Sequence, residues 1–260
     1  MTVELSIGPL KFINKEISDE KYTTIAIDNS YPSTLIGEPN LPFINNLIEI
    51  PHESNIRIEI IEDEIEEYNL NDYNLNNPLL PVQPSISKSQ DSNNITFTKN
   101  EEIYNLNEFY KNPLIQVQEK GLLRETLIGN LMLSPIEYNP VTNQIKLHKK
   151  IKFTIYFDNA NYDLTNERKN KSFSPYFESI YKNSIINYIE PQNQTRNNNF
   201  LNNKVSYIII SDPIFNNELQ SFINWKTLKG YNVIIAYTDE IGSSAAAIKS
   251  FIQDQYDNPP

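Results

Sequence analysis

Val205-Ser-Tyr-Ile-Ile-Ile-Ser211, closed by Asp212-Pro213, is the stretch on which the fold reading turns. A continuous apolar run of this length, rich in β-branched residues, reads as a strand buried on both faces. Asp212 supplies an N-cap and Pro213 suits the first helical position. Phe215, Leu219, Phe222 and Ile223 then share one face of a helix, and Gly230 fits its stop. Tyr231 to Tyr237 repeats the buried-strand pattern. Ser243 or Ser244 can cap a second helix whose inner face carries Ile248, Phe251 and Ile252. The order strand, helix, strand, helix implies parallel pairing through crossovers. Two parallel strands cannot cover their own faces and edges, so the expectation is an α/β segment that needs more chain to shield it.

Upstream the pattern changes class. Pro191-Gln-Asn-Gln-Thr-Arg-Asn-Asn-Asn199 has no hydrophobic period and reads as a linker. In Phe173 to Tyr188, the side chains of Phe177, Ile180, Tyr181 and Ile185 can line one face of a short helix. Residues Asn159 to Lys171 are polar and read as a connector. Before them the chain reads as strands and turns. Ile56, Ile58 and Ile60 alternate with Arg57 and Glu59, the period of a half-buried strand. Tyr138-Asn-Pro-Val-Thr-Asn143 separates Leu131 and Leu133 from Ile145 and Leu147. The strict alternation Ile151, Phe153, Ile155, Phe157 follows, so a β-hairpin is expected about the Asn-Pro turn. Asn71 to Asn94, with Pro78, Pro81 and Pro84, reads as a long, mobile surface loop. The expected organisation is a β-rich domain over 1–158, built as a sandwich or open barrel. A short helix and Asn-rich linker occupy 159–203, and an incomplete α/β parallel-sheet segment occupies 204–260.

Composition removes several function classes. The net charge of −11 and a pI near 4.8 argue against a nucleic-acid surface, which requires clustered cations. No apolar run is long enough to span a membrane. Met1-Thr-Val-Glu-Leu-Ser6 has neither a basic start nor an apolar segment, so no secretory signal is visible. With no cysteine, the chain has no thiol nucleophile, and with only His52 and His148 an imidazole zinc site is improbable.

The second region resembles the opening of the gingipain-type catalytic domain. The resemblance rests on Tyr207-Ile-Ile-Ile-Ser-Asp-Pro213, on Phe222-Ile-Asn-Trp-Lys-Thr-Leu-Lys-Gly-Tyr231, on Thr238-Asp-Glu-Ile-Gly242 and on Ala247-Ile-Lys-Ser-Phe-Ile252. The first region is similar to the pro-segment of that family. Its matching blocks are Gly37-Glu-Pro-Asn-Leu-Pro42 with Ile48-Glu-Ile-Pro51, then Tyr138-Asn-Pro-Val-Thr142, then Phe173 to Tyr188. The resemblance implies the precursor of a secreted or surface-bound bacterial cysteine endopeptidase with a caspase-like α/β domain. Its pro-segment would assist folding and block its own catalytic domain until removed. Protein substrates would be the partners of the full enzyme. The family's His–Cys dyad lies on later strands, so no catalytic residue carries over and residues 1–260 alone are expected to be inactive. A non-catalytic surface adhesion or assembly protein with a degenerate peptidase-like region is the alternative.

Individual residues acquire roles on that reading. Arg196, in the linker, is the candidate processing site; otherwise it is an ordinary solvated arginine. Lys120, before Gly121, and Arg124 are candidates for an inhibitory basic side chain on a protruding loop, against the plainer reading of a polar turn. Asp212, Asp239 and Glu240 fall at the carboxyl ends of the parallel strands, where they would face a cleft or bind calcium, or else cap and open helices. Glu59, Glu62, Asp63, Glu64, Glu66 and Glu67 match no calcium-loop spacing and read as a charged strand edge. No cofactor is expected within the chain, and calcium is a candidate for the full catalytic domain. His52 and His148 are expected to be structural or exposed, and Trp225 to pack against the sheet.

Overall fold

The computed structural model describes residues 1–17, 20–85, 87, 96–173, 175–190 and 205–258. They divide into two units, Met1–Asn193 and Gln194–Pro260.

The first unit is mainly β, in open sheets. Its spine is β9 (Gln144–Asp158), which pairs antiparallel along its length with β5 (Asn55–Asn69). On its other edge β9 takes β1 (Thr2–Ser6) at one end and β8 (Ile136–Asn139) at the other. The expected hairpin about the Asn-Pro turn closes between Asn139 and Gln144 with β8 as its first arm, whereas Leu131 and Leu133, read as belonging to that arm, lie on a strand of another sheet. A second sheet has β7 (Thr126–Leu133) between β4 (Ile44–Glu49) and β6 (Ile115–Leu123). β2 (Lys11–Ile17) and β3 (Glu20–Ala26) form a separate hairpin.

Alternation puts one face of each strand in a common core. Ile145, Ile151, Phe153 and Ile155 of β9 are buried, and so are Ile48 of β4, Leu131 and Leu133 of β7, and Tyr138 of β8. Each such side chain removed from water contributes about 1.5–3 kcal/mol. The alternation read in β5 stops at Ile58. Pairing slips between Ile60 and Glu62, leaving Ile61 without a register partner, and Ile60 and Ile61 are both exposed. Beyond the slip the acidic run meets lysines. Glu67 pairs with Lys146 at 3.3 Å, Glu66 with Lys149, and Glu62 with Lys150 at 3.9 Å. The exposed carboxylates of β5 are thus answered by a ladder of cations across the sheet.

Two expectations need correction. Of residues 71–85, those up to Asn77 lie largely at the surface as expected, but 79–82 do not. Leu79, Leu80 and Val82 are buried there because the backbone finds partners on both sides. Leu80 N donates to Thr23 O, Thr23 N to Pro78 O, and Val82 N to Glu38 O. Of the remainder, 86 and 88–94 lie outside the described residues. The polar stretch 159–171 is not a plain connector: it contains a helix, α2 (Tyr162–Ser172), after the short α1 (Glu101–Tyr104). Asn161 caps α2 by accepting from Leu164 N at 3.0 Å. Its inward face is polar. Thr165 and Lys169, one turn apart, are both buried. Thr165 Oγ1 accepts from His52 N at 2.9 Å, and Lys169 Nζ donates to both oxygens of Glu49 at 2.7 and 2.8 Å. Removing one partner of such a buried pair costs about 3–5 kcal/mol. The next helix, α3 (Pro175–Ser184), buries Tyr181, and Ile185 just beyond it is also buried. Phe177 and Ile180 stay partly exposed. The chain leaving α3 runs beside β4, with a parallel bridge from Ile185 to Leu47 and Ile186 N donating to Leu47 O.

The second unit is α/β. β10 (Ser206–Ser211) and β11 (Asn232–Tyr237) pair in parallel, from Ser206 opposite Asn232 to Ser211 opposite Tyr237. Asp212 caps a short 3-10 turn, its Oδ1 accepting from Ile214 N at 2.9 Å, and α4 (Asn216–Leu228) follows. Gly230 has φ 92°, the left-handed conformation expected after a helix. After β11 come a short helix, α5 (Thr238–Ile241), and then α6 (Ala245–Asp257), capped by Ser244. Trp225 is half exposed, lies 5.8 Å from the Phe222 ring, and is capped by Lys229 at 4.5 Å.

Candidate functional site

β6 and β7 form a hairpin with a two-residue turn, Leu123 opposite Thr126 and Arg124-Glu125 between them. A tight turn of this kind needs positive φ at both central residues, which normally selects Asn-Gly. Here Arg124 and Glu125 adopt φ 47° and 70° with full side chains. Left-handed backbone at a residue with a β-carbon costs about 1–2 kcal/mol. Such strain persists only where surroundings impose it, and it concentrates at functional sites.

The surroundings are identifiable. His52 Nε2 lies 3.2 Å from Glu125 O, and a carbonyl partner means that this nitrogen carries the proton. Arg168 Nη1 of α2 is 3.5 Å from Glu125 Oε2. Tyr181 OH of α3 donates to Leu123 O at 3.3 Å, and burial pushes its pKa up. The Arg124 guanidinium sits 4.5 Å over the Phe177 ring. An exposed basic side chain is therefore presented on a strained turn braced from three directions.

Of the basic candidates, Arg124 occupies the tip. Lys120 does not, because Gly121 makes a bulge inside β6 and not a loop. The register slips between Glu119 and Gly121, Gly121 has φ 128°, and exposed Lys120 bonds to Gln118 Oε1 at 2.8 Å. Arg196 lies outside the described residues. Asp212 is engaged as a cap. Asp239 and Glu240 are exposed in the first turn of α5, where carboxylates favour a helix start. Among the described residues no group of three or more His, Cys, Asp or Glu side chains is placed to hold a metal ion. Both histidines are buried. His52 braces the turn, and His148 has Asp63 at 2.8 Å from Nδ1 and Glu137 at 3.5 Å from Nε2. Sequence reasoning missed His52, Arg168, Phe177 and Tyr181 as neighbours of the tip. The only signal was the placement of Phe177 and Tyr181 on one short helix.

The profile of the family described as Propeptide_C25 matches residues 1–195, and that of Peptidase family C25 matches residues 200–260. The chain belongs to the C25 propeptide family. The change between the two matches falls close to the division of the structure into two units. Lys-gingipain of Porphyromonas gingivalis is 29% identical over 257 residues, covering 97% of this chain but 14% of that protein. Gingipain R1 of the same species is 22% identical over 224 residues, covering 85% of this chain and 21% of that protein. The chain thus spans a small part of the length of these relatives. Among solved structures, one on the zymogenic latency of gingipain K from Porphyromonas gingivalis superposes with a TM-score of 0.58 at 27% identity. It covers 61% of this chain and 87% of that one. A complex of the pro- and mature domains of RgpB superposes with a TM-score of 0.57 at 18% identity, covers 72% and 91%, and shares the fold.

Proposed function

We propose that this chain is the pro-segment and the opening of the catalytic domain of a secreted, gingipain-like cysteine endopeptidase. In this reading the β unit assists folding of the peptidase and holds it latent. The Arg124 tip enters the specificity pocket of the peptidase as a substrate-like side chain that is not turned over. Removal follows cleavage in the linker, with Arg196 as the processing site. The observation that carries the reading is the strained, braced turn presenting Arg124 in a chain of the propeptide family. A rigid turn presents its side chain at little entropic cost on binding, which is the general advantage of a preorganised inhibitor.

The test adds the purified chain to mature Lys-gingipain and mature gingipain R1 and follows hydrolysis of a peptide substrate. Inhibition of at least one enzyme is expected. Arg124→Ala should weaken it by about thirtyfold or more, the scale of a central anchor, and Lys120→Ala should leave it intact. N-terminal sequencing of the products should place the cut after Arg196. If the chain inhibits neither enzyme, the reading fails.

A further inference from the structure

We propose that Phe177 is a positioning residue for Arg124, so that α3, the last described element before the linker, aims the tip. This rests on the reading that Arg124 is the inhibitory side chain. Three observations carry it. Arg124 leaves the turn over the Phe177 ring at 4.5 Å, and Phe177 remains 36% exposed. A ring kept partly in water at the end of an inhibitory hairpin gains little from core packing, but its face fixes the direction of a guanidinium. Tyr181, one turn further along α3, holds the backbone of the same hairpin through Leu123 O.

The third observation is that α3 is anchored to the sheet that bears the hairpin. Tyr181 stacks on Tyr188 at 5.1 Å and 24°, and Tyr188 lies under Lys169 at 4.3 Å. Lys169 is paired to Glu49 of β4. Asn187 closes the arrangement on the Glu49 backbone, its Oδ1 accepting from Glu49 N at 2.7 Å and its Nδ2 donating to Glu49 O at 2.9 Å. β4 is hydrogen-bonded to β7, the second strand of the hairpin. The hairpin and the helix that touches its tip therefore hang from one sheet, which makes the aim of Arg124 a property of rigid elements.

The test is a double-mutant cycle on the full chain, read as inhibition of the mature peptidase. Phe177→Leu keeps an apolar residue and removes the aromatic face. It should weaken inhibition about two- to fivefold, the worth of an exposed cation–π contact. Phe177→Trp should restore it. In the Arg124→Ala background Phe177→Leu should have no further effect. Thermal unfolding of both Phe177 variants should match that of the parent chain. The inference is overturned if Phe177→Leu leaves inhibition unchanged, if its effect persists without Arg124, or if Phe177→Trp fails to restore it. Arg124→Ala without effect would instead remove the inhibitory reading, and the positioning role with it.

Discussion

Several buried tyrosines make the β unit depend on phenol protonation. Tyr138 is fully buried on β8; its OH accepts from Leu79 N at 3.3 Å and is 3.2 Å from Asn143 Oδ1. Burial pushes its pKa up to about 12, and Tyr104, whose OH donates to Leu79 O at 2.6 Å, is pushed up further in the same direction. Tyr22 is also raised to about 12, by burial and by its bond to Glu20. In the unfolded chain a phenol titrates near 10. Between those values the unfolded state loses protons that the native state keeps, so stability falls as pH rises. The contribution is complete below about pH 10 and is lost as pH passes about 12. Thermal unfolding followed by circular dichroism should therefore show a midpoint that drops steeply above about pH 10, with the tyrosinate absorbance of these enclosed phenols appearing only as the structure unfolds. Tyrosinate absorbance that rose fully before the structure was lost would contradict this. Little of it was legible in the sequence. The count of 16 tyrosines was visible, but which phenols are enclosed depends on residues 78–82 running through the core beside β3.

Among the elements, the β6–β7 turn has a sequence that disagrees with its geometry. Nothing in Leu123-Arg-Glu-Thr126 announces a tight hairpin, and Gly121 draws attention to the wrong position. The turn closes because strand pairing, His52 and α3 impose it. Glu125→Gly should relieve one left-handed residue. The expected gain is about 1 kcal/mol in urea unfolding, reduced slightly by loss of the half-exposed Arg168 pair. Loss of stability in this variant would show that the turn is not strained. The same disagreement explains α2. Its buried face is Thr165 and Lys169, so a search for apolar periodicity passes over it; a helix seated by hydrogen bonds and an ion pair leaves no hydrophobic stripe. By contrast β9, β10 and β11 were legible, because their burial is apolar and periodic, or continuous. The Asp212 and Ser244 caps were legible because capping is local.

For the whole molecule, the two units differ in how much apolar surface they enclose. The first contains nearly all of the buried hydrophobic residues among those described. The second contributes one, Ala236. Around its parallel pair Ile214 and Leu228 are 74% and 87% exposed, and Phe215 is also largely open to solvent. Its most connected cluster is instead polar-aromatic, with Lys226 Nζ at 4.4 Å from the Tyr207 ring, 4.9 Å from Trp225 and 5.1 Å from Tyr231. Contacts of this kind add about 0.5–1 kcal/mol each at exposed sites, far below the conformational entropy of ordering a segment of this size. The change from a β unit to an α/β unit was visible in the sequence because buried strands and helical faces replace turns and alternation. The imbalance in enclosure gives the expected outcome for dissection. Residues 1–193 should unfold in a single cooperative transition in urea, with a midpoint close to that of the β unit in the full chain. Residues 194–260 should show no cooperative transition and should bind a dye specific for exposed apolar surface. A sharp transition in the shorter fragment would mean that its two strands and flanking helices enclose a core of their own, and the division of stability argued from burial would then be wrong.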